Sequence, residues 1–203
     1  MLASVNAQEE EVPAVPEVPS ISEDKEEEKV IKVEIVKKIL SFQNYRGPDA
    51  CGLWTDDTSA AVLGHNRLSI LELSEAGSQP MAATDNSWII SYNGELYNYI
   101  ELRSELQRLG YSLSTNTDTE VFLKAYYEWG SKAFKKFNGM WAFVIIDNKK
   151  KKFFISRDRF GEKPLYYFYD KKKFIFGSEI KYIAQFKNEK LKVNKHKIYQ
   201  FIN

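Results

Sequence analysis

Ser91 to Asn98 reads SYNGELYN, a strand-like run that meets Asn-Gly and then the start of a helical pattern. Asn and Gly both tolerate the backbone of a sharp bend, so the spacing predicts that the chain turns at Asn93 and Gly94. A bend there presents a side-chain amide and a backbone N–H at one point, the two donors that an oxyanion hole needs. An ordinary turn also satisfies the dipeptide taken alone, so its neighbours must decide.

Upstream lie short apolar runs at 52–54, 60–64 and 88–92, punctuated by Asp, Ser, Gly and Asn, which predict an antiparallel sheet. Downstream, residues 97–109 and 119–129 carry apolar side chains at helical spacing, and each run stops at a glycine, Gly110 or Gly130, suited to a left-handed cap. Four aromatic and β-branched runs follow in hairpin order: MWAFVIID, KKFFISRD, PLYYFYD and KKFIFGSE. Their lysine clusters fall at the turns, where solvated gatekeepers are the plain explanation. At the other end VIKVEIVKKILSFQNY places Val33, Ile35, Val36, Ile39, Leu40 and Phe42 at near-helical spacing ahead of RGPD. The charged end, residues 187–203, shows no turn signal or final cap. Strands, helices and more strands, with a helix near each end, predict an α+β fold with helices outside packed sheets.

The 203 residues leave room for one domain and a tail. No apolar run approaches the roughly 18 residues of a membrane span. One cysteine, Cys51, and two histidines exclude a disulfide scaffold and a tetrahedral zinc module, and point to a reducing, cytoplasmic setting. The net charge of +1 hides an asymmetry. Residues 1–30 hold nine acids, two lysines and three of the six prolines, while the remainder carries +8. Residues 1–29 therefore read as an acidic, Pro-containing disordered tail, and residues 30–203 as the domain. The basic C-terminal half does not amount to a nucleic-acid surface, because its lysines sit at hairpin turns.

Arg67, in HNRLSILEL, has the fork that grips a carboxylate, although a lone arginine is usually a surface cation. Asp118, in STNTDTEV, stands at a helix start where capping is its default role, with Glu120 in the first turn. Taken in order, RGPD, RLSI, SQPM, NGELYN, TDTEV, GMWAFVIID, RDRFGEKPLYY and GSEIK resemble the glutaminase (class II glutamine amidotransferase) domain of the glutamine-hydrolysing asparagine synthetases. The resemblance covers about residues 30 to 186.

It implies an N-terminal-nucleophile hydrolase-like fold, a four-layer αββα sandwich of antiparallel sheets. It also implies hydrolysis of glutamine to glutamate and ammonia by an amino-terminal cysteine whose own amine is the base. Carried over by motif, Arg67 holds the glutamine carboxylate within a stretch that includes Leu68, Ser69, Ile70 and Leu71. Asp118 takes the ammonium, Asn93 and Gly94 take the oxyanion, and Glu95 frames the substrate. The implied partners are glutamine and either a separate synthetase domain or a second copy of the chain. ATP and magnesium are expected only for that synthetase domain, so no cofactor is expected here, and the chain reads as truncated before it.

The sequence departs from the family at its start, where the family opens with Met-Cys-Gly-Ile on a central strand. The corresponding stretch is VPSISEDKEEEKV, which lacks cysteine and is too acidic and Pro-broken for such a strand. Cys51 has a peptide-bonded nitrogen and is expected to be a small buried residue. Ser20 and Ser22, if exposed by processing, lack the Gly-Ile that should follow. No Gly-rich phosphate loop occurs. The expectation is therefore a glutaminase domain with little or no activity alone, the alternative being a non-catalytic glutamine-binding or regulatory module.

Overall fold

A strand that must show one face to helices and the other to a second sheet needs alternating side chains that are apolar on both sides. The run Gly139–Asp147 meets that demand from Trp141 to Ile146 and, with Trp88–Leu96 paired along it, organises the computed structural model, which describes residues 25–57, 61–83, 85–187 and 194–202. In chain order the elements are α1 (Lys25–Phe42), β1 (Ala50–Thr55), β2 (Val62–Arg67), β3 (Met81–Ala82), β4 (Trp88–Leu96), α2 (Tyr99–Arg108), α3 (Asp118–Trp129) and α4 (Ala133–Lys136). There follow β5 (Gly139–Asp147), β6 (Lys152–Arg157), β7 (Tyr166–Tyr169), β8 (Phe174–Gly177), α5 (Ile180–Lys187) and α6 (Lys195–Ile202). Among the described residues no helix is long and apolar enough to cross a membrane.

Strands β3, β4, β5 and β6 form one antiparallel sheet in that order. All nine residues of β4 pair with β5, from Trp88 opposite Asp147 to Leu96 opposite Gly139. The even-numbered side chains Ile90, Tyr92 and Leu96 join Phe143 and Ile145 of β5 against Leu102 and Leu106 of α2 and Val121 and Phe122 of α3. The odd-numbered face carries Ile89, joined by Val144 and Ile146 of β5 and met by Leu63 of β2 and Phe176 of β8. Helix α1 lies on β2, where Val36 and Leu40 contact Gly64, and α5 lies on β7 and β8. Four layers result, helix, sheet, sheet, helix, as the family resemblance implies.

The second β layer is not continuous. It consists of two hairpins, β1 with β2 and β7 with β8, with no ladder between them among the described residues.

Several elements differ from the sequence reading. Helix α1 begins at Lys25, inside the stretch read as tail, because Lys25–Lys29 continue the helix without a break; the tail before it, residues 1–24, lies outside the described residues. Phe42, placed on the apolar face of α1, is exposed, as are Ile100 in α2 and Leu109 at its C-terminal end. Cys51 is exposed rather than buried, since β1 is an outer strand whose Cys51 and Leu53 face away from the sandwich. The C-terminal residues without a turn signal include a helix, α6. The glycine caps are as expected, with φ of +92° at Gly110 and +56° at Gly130. So are the lysine turns: Asp147 accepts from the N–H groups of Lys149 and Lys150, and Asp170 from those of Lys172 and Lys173.

Candidate functional site

The chain does not bend at Asn93 and Gly94, as the dipeptide suggested. Both lie inside β4, opposite Ala142 and Trp141, and the turn comes after Leu96. Gly94 is there for close approach: a Cβ would collide with the Met140 carbonyl and the Tyr92 ring. Pairing with β5 over the full length of β4 outweighs the turn preference of the dipeptide.

Strand geometry still leaves a donor. Successive N–H groups along a strand point to opposite edges, so every second one shares an edge. The Tyr92 N–H donates to Gln79 Oε1 at 2.7 Å and the Leu96 N–H to Asp118 Oδ2 at 2.9 Å, both on the edge away from β5. The Gly94 N–H, between them in the alternation, therefore points to that same edge, beyond the reach of β3, which pairs only with Ile89 and Ile90. Asn93, on the odd face with Ser91 and Glu95, looks between the two β layers.

Asp118 is not the cap of α3. Thr117 caps it, its side chain accepting from the Glu120 N–H at 3.1 Å, and Asp118 is released to reach β4. Besides the Leu96 N–H, its Oδ2 accepts from the Tyr92 hydroxyl at 3.2 Å. Burial pushes the Asp118 carboxyl above its usual range, the two hydrogen bonds to β4 oppose that shift, and the neighbouring Glu95 charge adds to it. A buried carboxylate with incomplete compensation favours an incoming cation. Burial and the Asp118 charge likewise hold the Tyr92 phenol well above its usual value, so it is a donor at neutral pH.

Arg67, at the end of β2, is buried and held in place by its loop. Its Nη1 donates to the Ser74 carbonyl at 2.8 Å and its Nη2 to the Glu72 carbonyl. The guanidinium lies against Gly77, where any Cβ would occupy its place. Two bonds to carbonyls leave further donors of the five-donor fork for a ligand.

One cavity of about 1300 Å³ between the β layers is lined by Arg67, Leu68, Ile70, Leu71, Asn93, Gly94, Glu95 and Asp118. Of the stretch expected at the site, Ser69 alone lies off its lining; its N–H donates to Asp49 Oδ2 at 2.7 Å. Sequence reading missed Gln79, whose amide both accepts from the Tyr92 N–H and donates to the Tyr92 carbonyl at 3.0 Å, in place of a strand neighbour. The SQPM motif is its only signal in the sequence. Sequence reading also missed His65, which faces Ser91 across the layers with Nδ1 3.2 Å from the Ser91 Oγ. Burial, helped by the Arg67 charge, lowers the His65 imidazole to about 4, so it is neutral at pH 7. Among the described residues no group of three or more His, Cys, Asp or Glu is placed to hold a metal ion.

Comparison with known proteins adds independent information. The sequence matches the family described as glutamine amidotransferase domain over residues 18–203. A related protein of Methanocaldococcus jannaschii is 44% identical over 184 residues, covering 82% of this chain and 35% of the relative. Asparagine synthetase (glutamine-hydrolyzing) 3 of Bacillus subtilis is 40% identical over 152 residues, covering 74% of this chain and 24% of the relative. Its counterpart numbered 1 in the same organism is 37% identical over 170 residues, covering 84% and 26%. The chain thus spans about a quarter to a third of the length of these relatives. Among solved structures, glutamine phosphoribosylpyrophosphate amidotransferase of B. subtilis complexed with ADP and GMP shares the fold, with a TM-score of 0.52 at 22% identity over 61% of this chain and 28% of that one. On the match that runs from residue 18 to residue 203, this chain belongs to the glutamine amidotransferase domain family.

Proposed function

We propose that the cavity holds glutamine and that the chain contributes the binding and oxyanion half of a glutaminase site. The observation that carries the reading is the open-edge Gly94 N–H beside Asp118, with Arg67 and Asn93 lining the same cavity. An amino acid has a carboxylate for the Arg67 fork and an ammonium for the Asp118 carboxylate. Its side-chain amide then has Asn93 and Gly94 as donors, which stabilise the negative charge of a tetrahedral intermediate more than the starting carbonyl. Hydrolysis also needs a nucleophile. The sole thiol of this sequence is Cys51, exposed on β1, off the cavity lining and with an acylated nitrogen. We therefore expect glutamine binding with little or no turnover. In a longer protein, ammonia would pass to a synthetase domain, of the kind named in the relatives, and ATP and magnesium would belong to that domain.

Calorimetric titration with glutamine, paired with an ammonia-release assay, tests the reading. The expected result is saturable binding without appreciable ammonia. Arg67→Ala and Asp118→Ala should each weaken binding by about 1.5–3 kcal/mol, the range for hydrogen bonds to charged groups. Absence of binding to the folded chain would remove the proposal, and turnover abolished by Cys51→Ala would show that Cys51 is the nucleophile after all.

A further inference from the structure

Gly94 has no room for a side chain, and one reason is the ring of Tyr92. Residues two apart on a strand share a face, so positions 92 and 94 both look toward the helices. The Tyr92 ring leans along β4 in that direction, and a Cβ at position 94 would stand 2.7 Å from its Cε2 and Cζ. The hydroxyl, one bond beyond Cζ, donates to Asp118 Oδ2 at 3.2 Å. The Leu96 N–H, two residues past Gly94, donates to the same oxygen at 2.9 Å. One side chain therefore spans β4 from residue 92 toward residue 96 and ends on the carboxylate proposed to meet the glutamine ammonium.

Tyr92 is itself firmly held. Its backbone N–H and carbonyl both bond to the Gln79 amide, at 2.7 and 3.0 Å, and its ring centroid lies 4.9 Å from that of Phe122 in α3. The Gly94 N–H is bracketed on the open edge of β4 by two clamped neighbours, Tyr92 through Gln79 and Leu96 through Asp118. Both bonds from β4 to Asp118 fall on Oδ2, and among the described residues no side-chain donor is bonded to Oδ1. That leaves Oδ1 for a ligand in the cavity that Asp118 lines.

The charges around Asp118 give the hydroxyl its importance. Glu95 of β4, with the Tyr97 phenol near it, adds like charge to a burial that already favours the neutral acid. Arg67 of β2 and Glu72 of the loop after it line the same cavity. Arg103 of α2 donates to the Thr115 and Thr117 carbonyls, at 2.6 and 3.4 Å, and Glu120 of α3 accepts from the N–H groups of Ser114 and Thr115. The donors that hold Asp118 ionised are the N–H groups of Leu96 and Thr119 and the Tyr92 hydroxyl. Of these, only the hydroxyl belongs to a side chain.

We propose that Tyr92 is the positioning residue for the ammonium end of the site, its hydroxyl fixing the Asp118 carboxylate beside the Gly94 N–H. The ligand in this assignment rests on the glutamine reading, whereas the link from Tyr92 to Asp118 rests on β4 and α3 alone. An ammonium is held by the ionised form of Asp118. Without the hydroxyl the neutral acid persists to higher pH, so the acidic loss of affinity sets in earlier as pH falls.

Tyr92→Phe in the full chain tests the assignment, because it removes one oxygen and keeps the ring against Phe122. In the ligand-free chain the Asp118 carboxyl is followed by carbon NMR as pH is varied, its signal assigned by its loss in Asp118→Asn. The expected result is a titration midpoint about one pH unit higher in Tyr92→Phe, the low end of what a hydrogen bond to a charged group is worth. Calorimetric titration with glutamine then compares the two proteins between roughly pH 4.5 and 7.5, where neither end group of the ligand titrates. The acidic limb of the affinity profile should move upward by the same amount. An unchanged Asp118 midpoint in the folded variant would overturn the proposal, and so would a loss of affinity equal at every pH, which is the mark of packing alone. A shifted midpoint in a chain that binds no glutamine at any pH would support the link from Tyr92 to Asp118 and overturn the glutamine reading instead.

Discussion

Gly94 and His65 illustrate how single residues shape the cavity by what they lack. Gly94 has no side chain where β5 comes closest, and its N–H faces the open edge of β4. His65 lacks a charge, because burial between the layers and the Arg67 cation hold its imidazole at about 4. The usual value is near 6.5, so at pH 7 both folded and unfolded chains carry it neutral. As pH falls from about 6.5 to about 4 the unfolded chain takes up a proton that the folded chain refuses, and stability is lost across that window. A proton refused over that range costs the folded state up to about 3 kcal/mol. His65→Gln removes the effect, so the fall in urea midpoint between pH 7 and pH 4 should be smaller in the variant. Parallel profiles for the two proteins would show that His65 is not the source.

At the scale of elements, the start of α3 concentrates structure and site in four residues. Thr117 caps the helix, Asp118 ties it to β4, Thr119 receives a hydrogen bond from Gln79 Nε2 at 3.4 Å, and Glu120 reaches back to the loop before it. Burial works against ionised Glu120, but hydrogen bonds from Ser114 and Thr115 outweigh it and hold the carboxyl below its usual range. Because Asp118 is spent on β4, the helix has Thr117 as its side-chain cap. Thr117→Ala should cost about 0.5–2 kcal/mol, read as a lower urea midpoint, and should also weaken glutamine binding by loosening Asp118. A stability loss with glutamine affinity unchanged would separate the cap from the site. Sequence alone pointed to Asp118 as the cap, since Asp and Thr both suit that position and only the placement of β4 chooses between them.

For the whole molecule the decisive contact is α3 on the four-stranded sheet. The Phe122 ring sits among Phe137, Phe143 and Tyr92 at centroid distances of 4.4, 4.8 and 4.9 Å and is fully buried. Phe122→Ala should cost about 3–5 kcal/mol, seen in the urea midpoint, and the loss should reach the site because Tyr92 and Asp118 rest on the same contact. The opposite face has no equal: Leu63, Ile89, Val144 and Ile146 are buried there, but the hairpins above them leave the cavity. The α+β class, the two glycine-capped helices and the four-strand hairpin series were all legible in the sequence, because periodicity, turn residues and helix stops are local properties of the chain. Tertiary structure decided the rest: that Asn93 and Gly94 lie within a strand, that Thr117 displaces Asp118 as cap, that Cys51 faces outward and that the second β layer is divided. Each of these depends on which residues, distant in sequence, compete for the same hydrogen bond or the same space, and local pattern carries no record of that competition.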